Sequence, residues 1–503
     1  LSIIGEILEN RANVSPNLEA LVCDYQRYTY RDFNETSNQV AHYLLEIGVK
    51  KGDRVAILCK NSPHFAFIML AILKIGAIFV PLNWRLKADE IHELMKDSKP
   101  KVLFYDEEYS QSITYSNEWY FVTHRILTCK GIHPHPTYEA LFSNKPITNP
   151  EVHLHQDDPA VIVYTSGTTG KPKGVVCSHH NIFTTGTGGT LLTNPSYADR
   201  FLLITPLFHI SGVTGIMNMI YYAITLVMKS QFDSSRILEY IEQEKITSTM
   251  GVPPILIYLL PEIAKTERDL SSLKYFSSGG TKVPLKLIEQ YQSFGYPIIQ
   301  AYGATEVAGG ISCWVPYMGM DKCQSVGKPV MFAKIKIVDP DTGKELPAGE
   351  IGEIIIKGPQ VFKGYWNNAE ETKKALQDGW FYTGDAGKKD EDGFLYVIDR
   401  YKDVIICGGE KVYPAEVEAV ISELDDVLEV SLVGTPNEIW GEMPCACIVK
   451  KEGSEITEED VLSYCKEKLA NYKVTQVRFM DELPKNSLGK VIKTALREQT
   501  SSE

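Results

Sequence analysis

Residues Tyr164-Thr-Ser-Gly-Thr-Thr-Gly-Lys-Pro-Lys-Gly174 follow directly on an apolar run, Ala160-Val-Ile-Val163. Four aliphatic hydroxyls, three glycines and two lysines stand within eleven positions. Glycine lets a backbone turn tightly and approach a ligand. Hydroxyls and exposed N–H groups donate hydrogen bonds, and lysine supplies compact positive charge. A strand that runs into such a loop is built to wrap a polyphosphate. Two common phosphate loops are excluded. The P-loop pattern needs glycine where Thr165 stands and a hydroxyl where Pro172 stands. The dinucleotide fingerprint fails as well, because Gly186-Thr-Gly188 leads to Leu191 where a third glycine is required.

Around this loop the chain reads as a large α/β protein. Its 503 residues exceed what one core supports, so at least two domains are expected. Apolar content of 44% and charged content of 23% are globular values. A net charge of −13 argues against nucleic acid or an anionic membrane as the main partner. Phosphate ligands must therefore be met by local cations. The ten cysteines are scattered, which fits a reducing, cytoplasmic setting, and Cys445-x-Cys447 alternates as a strand does. The histidine pairs (His133 and His135, His153 and His155, His179 and His180) lack partners at metal spacing. Phe65 to Val80 is the most apolar stretch, but Lys74, Gly76 and Pro81 divide it into a buried helix and a buried strand. No signal peptide or membrane span is expected. A monomer and a homodimer are equally compatible with the sequence.

Through about residue 320, strand-like runs alternate with amphipathic helices, the pattern of mainly parallel α/β sheets. Val40, Tyr43, Leu44 and Ile47 mark one helix face that Gly48 ends, and Arg54–Leu58 reads as the next strand. The pattern restarts near Asp157 with Val161–Tyr164, Phe201–Thr205, Tyr275–Ser278 and Pro297–Gln300, suggesting one α/β sheet per half. From about 325 to 400, short runs such as Lys334–Val338 and Glu353–Lys357 lie between Asp/Gly/Pro turns, as in a small β-barrel-like unit. An α+β segment of about a hundred residues follows Lys402, helical from Glu416.

Four further blocks follow the loop in order: Ala301-Tyr-Gly-Ala-Thr-Glu306, Tyr382-Thr-Gly-Asp385, Asp399-Arg-Tyr-Lys-Asp403 and Pro484-Lys-Asn-Ser-Leu-Gly-Lys490. Together the five blocks resemble the signatures of the adenylate-forming enzymes, the superfamily of acyl-CoA synthetases, beetle luciferases and adenylation domains. The resemblance covers essentially the whole chain. It implies a large domain, residues 1–401, with α/β subdomains at about 1–155 and 156–322 and a β-rich subdomain at 323–401. A small mobile C-terminal domain, 402–503, would follow.

The resemblance also implies ATP, Mg²⁺ and coenzyme A as cofactors and cosubstrates. A carboxylate would attack the α-phosphate of ATP, and the acyl adenylate would then pass to a thiol. Anionic groups converge in the first step, so positive charge and fixed donors are the need. Thr165, Ser166, Gly167, Thr168, Thr169, Gly170, Lys171 and Lys173 would hold the β- and γ-phosphates. Glu306 would ligate Mg²⁺ and Thr305 the α-phosphate. Ala301, Tyr302, Gly303 and Ala304, with Gly279, Gly280 and Thr281, would form the adenine slot, Tyr302 stacking on the ring. Asp385 would accept from both ribose hydroxyls and Arg400 would add a second ribose contact. Lys490 would bridge carboxylate and α-phosphate, although Asn486-Ser-Leu-Gly489 departs mildly from the family's Thr-x-Ser-Gly. Lys402 would be the hinge. The Gly408-Gly409 strand, lacking side chains, would leave room for a pantetheine arm.

Pro206-Leu-Phe-His-Ile-Ser-Gly212 bears on the acid. Amino-acid-activating relatives carry Asp where His209 stands, so a substrate without an α-amine is expected, with His209 gating the passage to the thiol tunnel. Val213 to Met228 could wall an apolar channel or be plain core. A medium- or long-chain fatty acyl-CoA synthetase is the leading expectation. An aryl-acid CoA ligase and a stand-alone enzyme loading a carrier protein are alternatives. A luciferase-type oxygenase, or an adenylate-binding protein without turnover, fits less well.

Overall fold

The run from Phe65 to Val80 shows how the sequence builds its core. Ser62 caps the helix Pro63–Lys74 by accepting from the Phe65 N–H at 3.4 Å, and proline fills the first turn, where no partner for its nitrogen is needed. Every residue from Phe65 to Lys74 is buried. Gly76, at φ +70°, ends the helix and Ile78–Pro81 follows as a fully buried strand. Lys74 is the charged exception. Its Nζ donates to Asn34 Oδ1 at 2.8 Å and to Asn149 Oδ1 at 2.7 Å.

The computed structural model describes the chain apart from residues 1–2, 111–112, 114–118, 129–137, 166–171, 230–232, 281, 409, 438, 487–489 and 502–503. Its contacts divide it into two compact units, residues 1–334 with 356–381, and residues 335–355 with 382–503.

The first unit holds two large sheets. One has seven strands in the order Gly364–Tyr365, Lys173–Ser178, Pro159–Thr165, Ile78–Pro81, Arg54–Leu58, Val102–Tyr105 and His124–Leu127. The last five are mutually parallel, and the first two add antiparallel. The other has nine strands, with Glu19–Cys23 and Gln26–Thr29 at one edge beside Thr225–Met228. Its centre runs through Arg200–Leu202, Ser248–Met250 and Tyr275–Gly279 to Ile298–Ala304, all parallel. Each sheet thus draws strands from both sides of residue 155, which corrects the expectation of one sheet per half. The first β-hairpin crosses to the second sheet, and the phosphate-loop hairpin joins the first. Hydrophobic alternation marks strands but carries no information about which sheet they join. Strand Arg200–Leu202 is also shorter than the run Phe201–Thr205 suggested, because the chain leaves the sheet towards Pro206.

The second unit contains most of the strands Lys334–Val338, Gly352–Lys357, Trp380–Lys389 and Leu395–Arg400 of a five-stranded sheet. It also contains a sheet built on the long hairpin Val427–Asn437 with Gly441–Lys450. Helices Pro414–Ile421 and Glu458–Lys468 cover that hairpin through an apolar cluster including Val417, Ile421, Leu432, Ile448 and Val461. Among the described residues no helix is long and apolar enough to cross a membrane.

Candidate active site

Strands Pro159–Thr165 and Lys173–Ser178 form one antiparallel hairpin, in which Thr165 faces Lys173 and Tyr164 faces Gly174. The loop expected to hold phosphate joins these two strands in sequence. Ser166, Gly167, Thr168, Thr169, Gly170 and Lys171 lie outside the described residues, so the geometry begins at its base. Thr165 Oγ1 donates to the Lys173 carbonyl at 3.4 Å. The Tyr164 hydroxyl donates to Asp97 at 2.6 Å, and the Gly174 carbonyl accepts from the Trp366 N–H at 2.7 Å. A Cβ on Gly174 would stand 2.9 Å from Ile162 and 3.2 Å from Trp366, so glycine is required where these chains meet.

Lys173 is ion-paired with Glu371, and its ammonium lies 5.2 Å over the Tyr365 ring. Hydrogen bonding to Lys173 holds the Glu371 carboxyl down at about 2. The Tyr365 hydroxyl donates to Glu306 Oε1 at 2.9 Å. Glu306 sits in the single 3-10 turn Thr305–Val307, after strand Ile298–Ala304. The Thr305 carbonyl accepts from the Ala308 N–H at 2.9 Å, and the Glu306 carbonyl accepts from the Phe362 N–H at 2.8 Å. The first unit therefore brings Lys173 and Glu306 together around Tyr365. Tyr365, Trp366 and Glu371 were not singled out in the sequence. Their signal was the run Lys363-Gly-Tyr-Trp366, which is unremarkable as a pattern.

No group of three or more His, Cys, Asp or Glu side chains poised for a metal occurs among the described residues. A half-buried carboxylate with one oxygen already bonded suits a hard cation that takes its other ligands from phosphates and water. Glu306 fits Mg²⁺ on these terms.

In α/β sheets nucleotides bind outside the carboxyl ends of the strands, and the expected adenine residues lie on two neighbouring strands that run towards Glu306. Tyr275–Gly279 pairs in parallel with Ile298–Ala304, Gly279 opposite Ala301, so Gly280 just past the end of one strand neighbours Tyr302 within the other. The three glycines differ in role. A Cβ on Gly303 would stand 2.0 Å from the Gly309 carbonyl oxygen, and one on Gly279 2.8 Å from that of Ala301. Both are fixed by backbone crowding. Gly280 has φ +85° and open space beside it. Thr281 lies outside the described residues.

His209 occupies the cap position of helix Ile210–Tyr222. Gly212 lets the chain fold back there, since a Cβ would meet Leu207 at 2.4 Å. The His209 ring lies 4.2 Å from Phe208, which meets Trp84 edge-on at 6.2 Å. Burial, assisted by the charge of Arg85, pushes the imidazole down to about 4, so it is neutral at pH 7. Its Nε2 is buried without a hydrogen-bond partner among the described residues.

In the second unit, Asp385 and Arg400 are paired across antiparallel strands, with Arg400 Nε 2.6 Å from Asp385 Oδ1. Asp385 is buried, and its N–H donates to Thr383 Oγ1 at 3.0 Å. The Gly384 N–H donates to Glu353 at 2.9 Å, while burial, with the charge of Asp385 adding, raises the Glu353 carboxyl. Lys402 lies in the single turn Tyr401–Asp403 immediately after this strand. Lys490 is exposed, its N–H donating to Asn486 Oδ1 at 2.9 Å while its carbonyl accepts from the Asn486 N–H at 2.8 Å. Asn486, where the family pattern has threonine, thus bonds both the N–H and the carbonyl of Lys490.

The expectation that Gly408 lies in a strand needs correction. Gly408 is not in a strand but in the turn between Ile405–Cys407 and Glu410–Val412, at φ +61°. The room left by its missing side chain is filled by Trp440, which a Cβ would meet at 2.6 Å. Gly409 lies outside the described residues.

Two large sheets in one unit, followed by a smaller C-terminal unit, are the fold of an adenylate-forming enzyme, and the chain belongs to the AMP-binding enzyme family. Residues 8–366 match the AMP-binding enzyme profile and residues 416–490 its C-terminal domain. The chain is 44% identical over 499 residues to a putative acyl–CoA ligase of Bacillus subtilis, covering 98% of each. It is 36% identical over 504 residues to the long-chain-fatty-acid–CoA ligase FadD13 of Mycobacterium tuberculosis, covering 99% of each. Among solved structures, o-succinylbenzoate CoA synthetase of Bacillus subtilis, in complex with its acyl-adenylate, superposes with a TM-score of 0.88 at 32% identity. That match covers 98% of this chain and 97% of the other. The protein is an AMP-forming acid–thiol ligase acting on acyl or aryl acids, and enzymes of this class use ATP, Mg²⁺ and coenzyme A.

Proposed function

We propose that the acid is a medium- or long-chain fatty acid and that the product is its CoA thioester. The carrying observation is His209, half-buried, neutral and set against Phe208, at the start of helix Ile210–Tyr222. A Cβ at Gly215 on that helix would meet nothing within 4 Å, nor would one at Gly189 on helix His179–Thr193 or at Gly310 on strand Gly309–Trp314. Helix His179–Thr193 packs on both of the other elements. An apolar chain could lie where these three side chains are missing, and no α-ammonium would find a carboxylate at His209.

The residue roles follow from charge. Lys173 and the phosphate-loop donors hold the β- and γ-phosphates. Glu306 holds Mg²⁺, which screens the phosphate charge when bound. Thr305 positions the α-phosphate, and Tyr302 with Gly279 and Gly280 receives adenine. Asp385 and Arg400 fix the ribose. Lys490 neutralises charge as the acid's oxygen attacks the α-phosphate and pyrophosphate leaves. The CoA thiol then attacks the acyl carbon and AMP leaves, with Lys402 as the hinge between the two steps. Reducing, cytoplasmic surroundings suit the described cysteines, all buried and none in a disulfide.

A panel of straight-chain acids, hydroxycinnamates, benzoates and amino acids, scored by CoA-dependent AMP release, tests the reading. Each added methylene buried should raise kcat/KM about fourfold, from about 0.8 kcal/mol per group, until the channel is full. Preference for an aryl acid would favour the second reading, which the likeness to o-succinylbenzoate CoA synthetase supports. Preference for amino acids, or AMP release indifferent to CoA, would refute both.

A further inference from the structure

We propose that Tyr365 is a positioning residue that fixes which oxygen of Glu306 meets the metal, and that Glu371 does the corresponding work for Lys173. The proposal rests on the reading of Glu306 as the Mg²⁺-holding carboxylate.

One short segment reaches both halves of the phosphate site. Phe362 holds the Glu306 backbone, its N–H donating to the carbonyl at 2.8 Å. Tyr365 holds the side chain, its hydroxyl donating to Oε1 at 2.9 Å. Trp366 holds the hairpin at Gly174, and Glu371 pairs with Lys173. Tyr365 has little freedom to do otherwise. Its backbone is in antiparallel register with Val175, and its N–H donates to Thr372 Oγ1 at 2.8 Å. Its ring meets Phe362 edge-on at 4.9 Å and carries the Lys173 ammonium on its face. A swing that broke the hydroxyl bond would also disturb the cation above the ring.

The chemistry follows from lone pairs. A carboxylate offers two oxygens, and a phenol that donates to Oε1 leaves Oε2 as the better ligand for a cation. Glu306 is thereby set for one-oxygen coordination, with the remaining positions left to phosphate and water. Glu371 keeps the Lys173 ammonium extended over the tyrosine, at a set place relative to that metal ligand. The segment Phe362–Thr372 thus sets the spacing between the metal carboxylate and the loop cation. A partner that orients a metal ligand is worth about ten- to a hundredfold in metal affinity.

The test uses Tyr365→Phe, Glu371→Gln and Glu306→Gln in the full chain. Each is titrated by calorimetry with ATP in EDTA and with MgATP, alongside Mg²⁺ titration of ATP–pyrophosphate exchange. Tyr365→Phe keeps the ring, so it should bind metal-free ATP as wild type does. It should lose about tenfold in MgATP affinity and need about tenfold more Mg²⁺ for half-maximal exchange. Glu371→Gln should weaken both forms of ATP by one common factor, because it acts on the ammonium. The proposal is overturned if Tyr365→Phe retains wild-type MgATP affinity and Mg²⁺ midpoint while Glu306→Gln shifts both. It is also overturned if Tyr365→Phe weakens metal-free ATP equally, since that marks general loosening. If Glu306→Gln itself leaves the Mg²⁺ midpoint unmoved, the proposal falls together with the metal reading on which it rests.

Discussion

Replacing Lys74 with methionine should remove a pH dependence of stability that is visible in the packing. Lys74 is buried in helix Pro63–Lys74, bonded to two asparagine oxygens and pressed against Gly5, whose virtual Cβ would stand 2.8 Å from the lysine Cγ. Burial holds its ammonium at about 7, against about 10.5 for an exposed lysine. Between those values the unfolded chain binds a proton that the native chain has released. Stability must therefore rise with pH in that window, by up to about 1.4 kcal/mol per pH unit. From pH 7 to pH 9 the gain is on the order of 2 kcal/mol. Methionine matches the length of the stem without the amine. It leaves the Asn34 and Asn149 acceptors unbonded, at about 1–3 kcal/mol each, so absolute stability is a poor readout. The slope is the sharper one. Calorimetric melting of both proteins at pH 7, 8 and 9 should show wild type gaining on Lys74→Met as pH rises, other titrating groups cancelling in the difference. Parallel pH profiles would refute the reasoning, and a wild type that loses ground with pH would reverse its sign.

Three further outcomes concern the reaction. Lys490→Ala should lose about a hundredfold or more in adenylation, from about 2.7–4 kcal/mol, while converting supplied acyl adenylate to thioester normally; equal losses in both assays would remove Lys490 from the first step. His209→Asp should impair turnover of fatty or aryl acids, because a charged carboxylate would replace a half-buried neutral ring and face an apolar or anionic substrate; unchanged kinetics across the acid panel would place His209 outside the acyl site. Lys402→Pro should spare pyrophosphate exchange and slow CoA-thioester formation, since proline fixes φ where the hinge must rotate; equal losses would mean a fixed linker or local misfolding.

Much of this architecture was legible where local chemistry decides it. The pause at Gly76 between buried helix and strand, the stop at Gly48 (φ +79°) and strand Arg54–Leu58 all follow from periodicity and glycine. Sheet membership was not legible. Glu19–Cys23 pairs with Thr225–Met228, about two hundred residues away, and nothing local encodes that choice. Within the candidate site, the residues expected to touch ligand fall in recognisable blocks, whereas Tyr365 and Glu371, which bond Glu306 and Lys173, carry no pattern of their own. Gly408 misled for another reason. Its missing side chain reads as open space in sequence, but Trp440 from the neighbouring hairpin turn occupies it. A glycine declares only that a Cβ does not fit, not what stands there instead.

Two of the cations expected to meet the nucleotide, Lys173 and Arg400, share one feature that bears on the problem set by a net charge of −13. In the first unit Lys173 is held by Glu371, and in the second Arg400 is held by Asp385. Neither cation waits as a mobile surface charge. An exposed lysine or arginine keeps many rotamers and a full hydration shell, and ordering it on binding opposes affinity. Here the carboxylate companion has already taken that entropy and fixed the direction of the charge. The companion also lowers the attraction for any passing anion, since each pair is neutral at a distance. On the proposed roles, a ligand would recover the interaction only by meeting Lys173 or Arg400 at hydrogen-bond range. Discrimination against bare phosphate follows from that geometry without a positive field over the protein as a whole. A net charge of −13 and the proposed phosphate site are therefore compatible, because the charge of a paired cation acts only at contact distance.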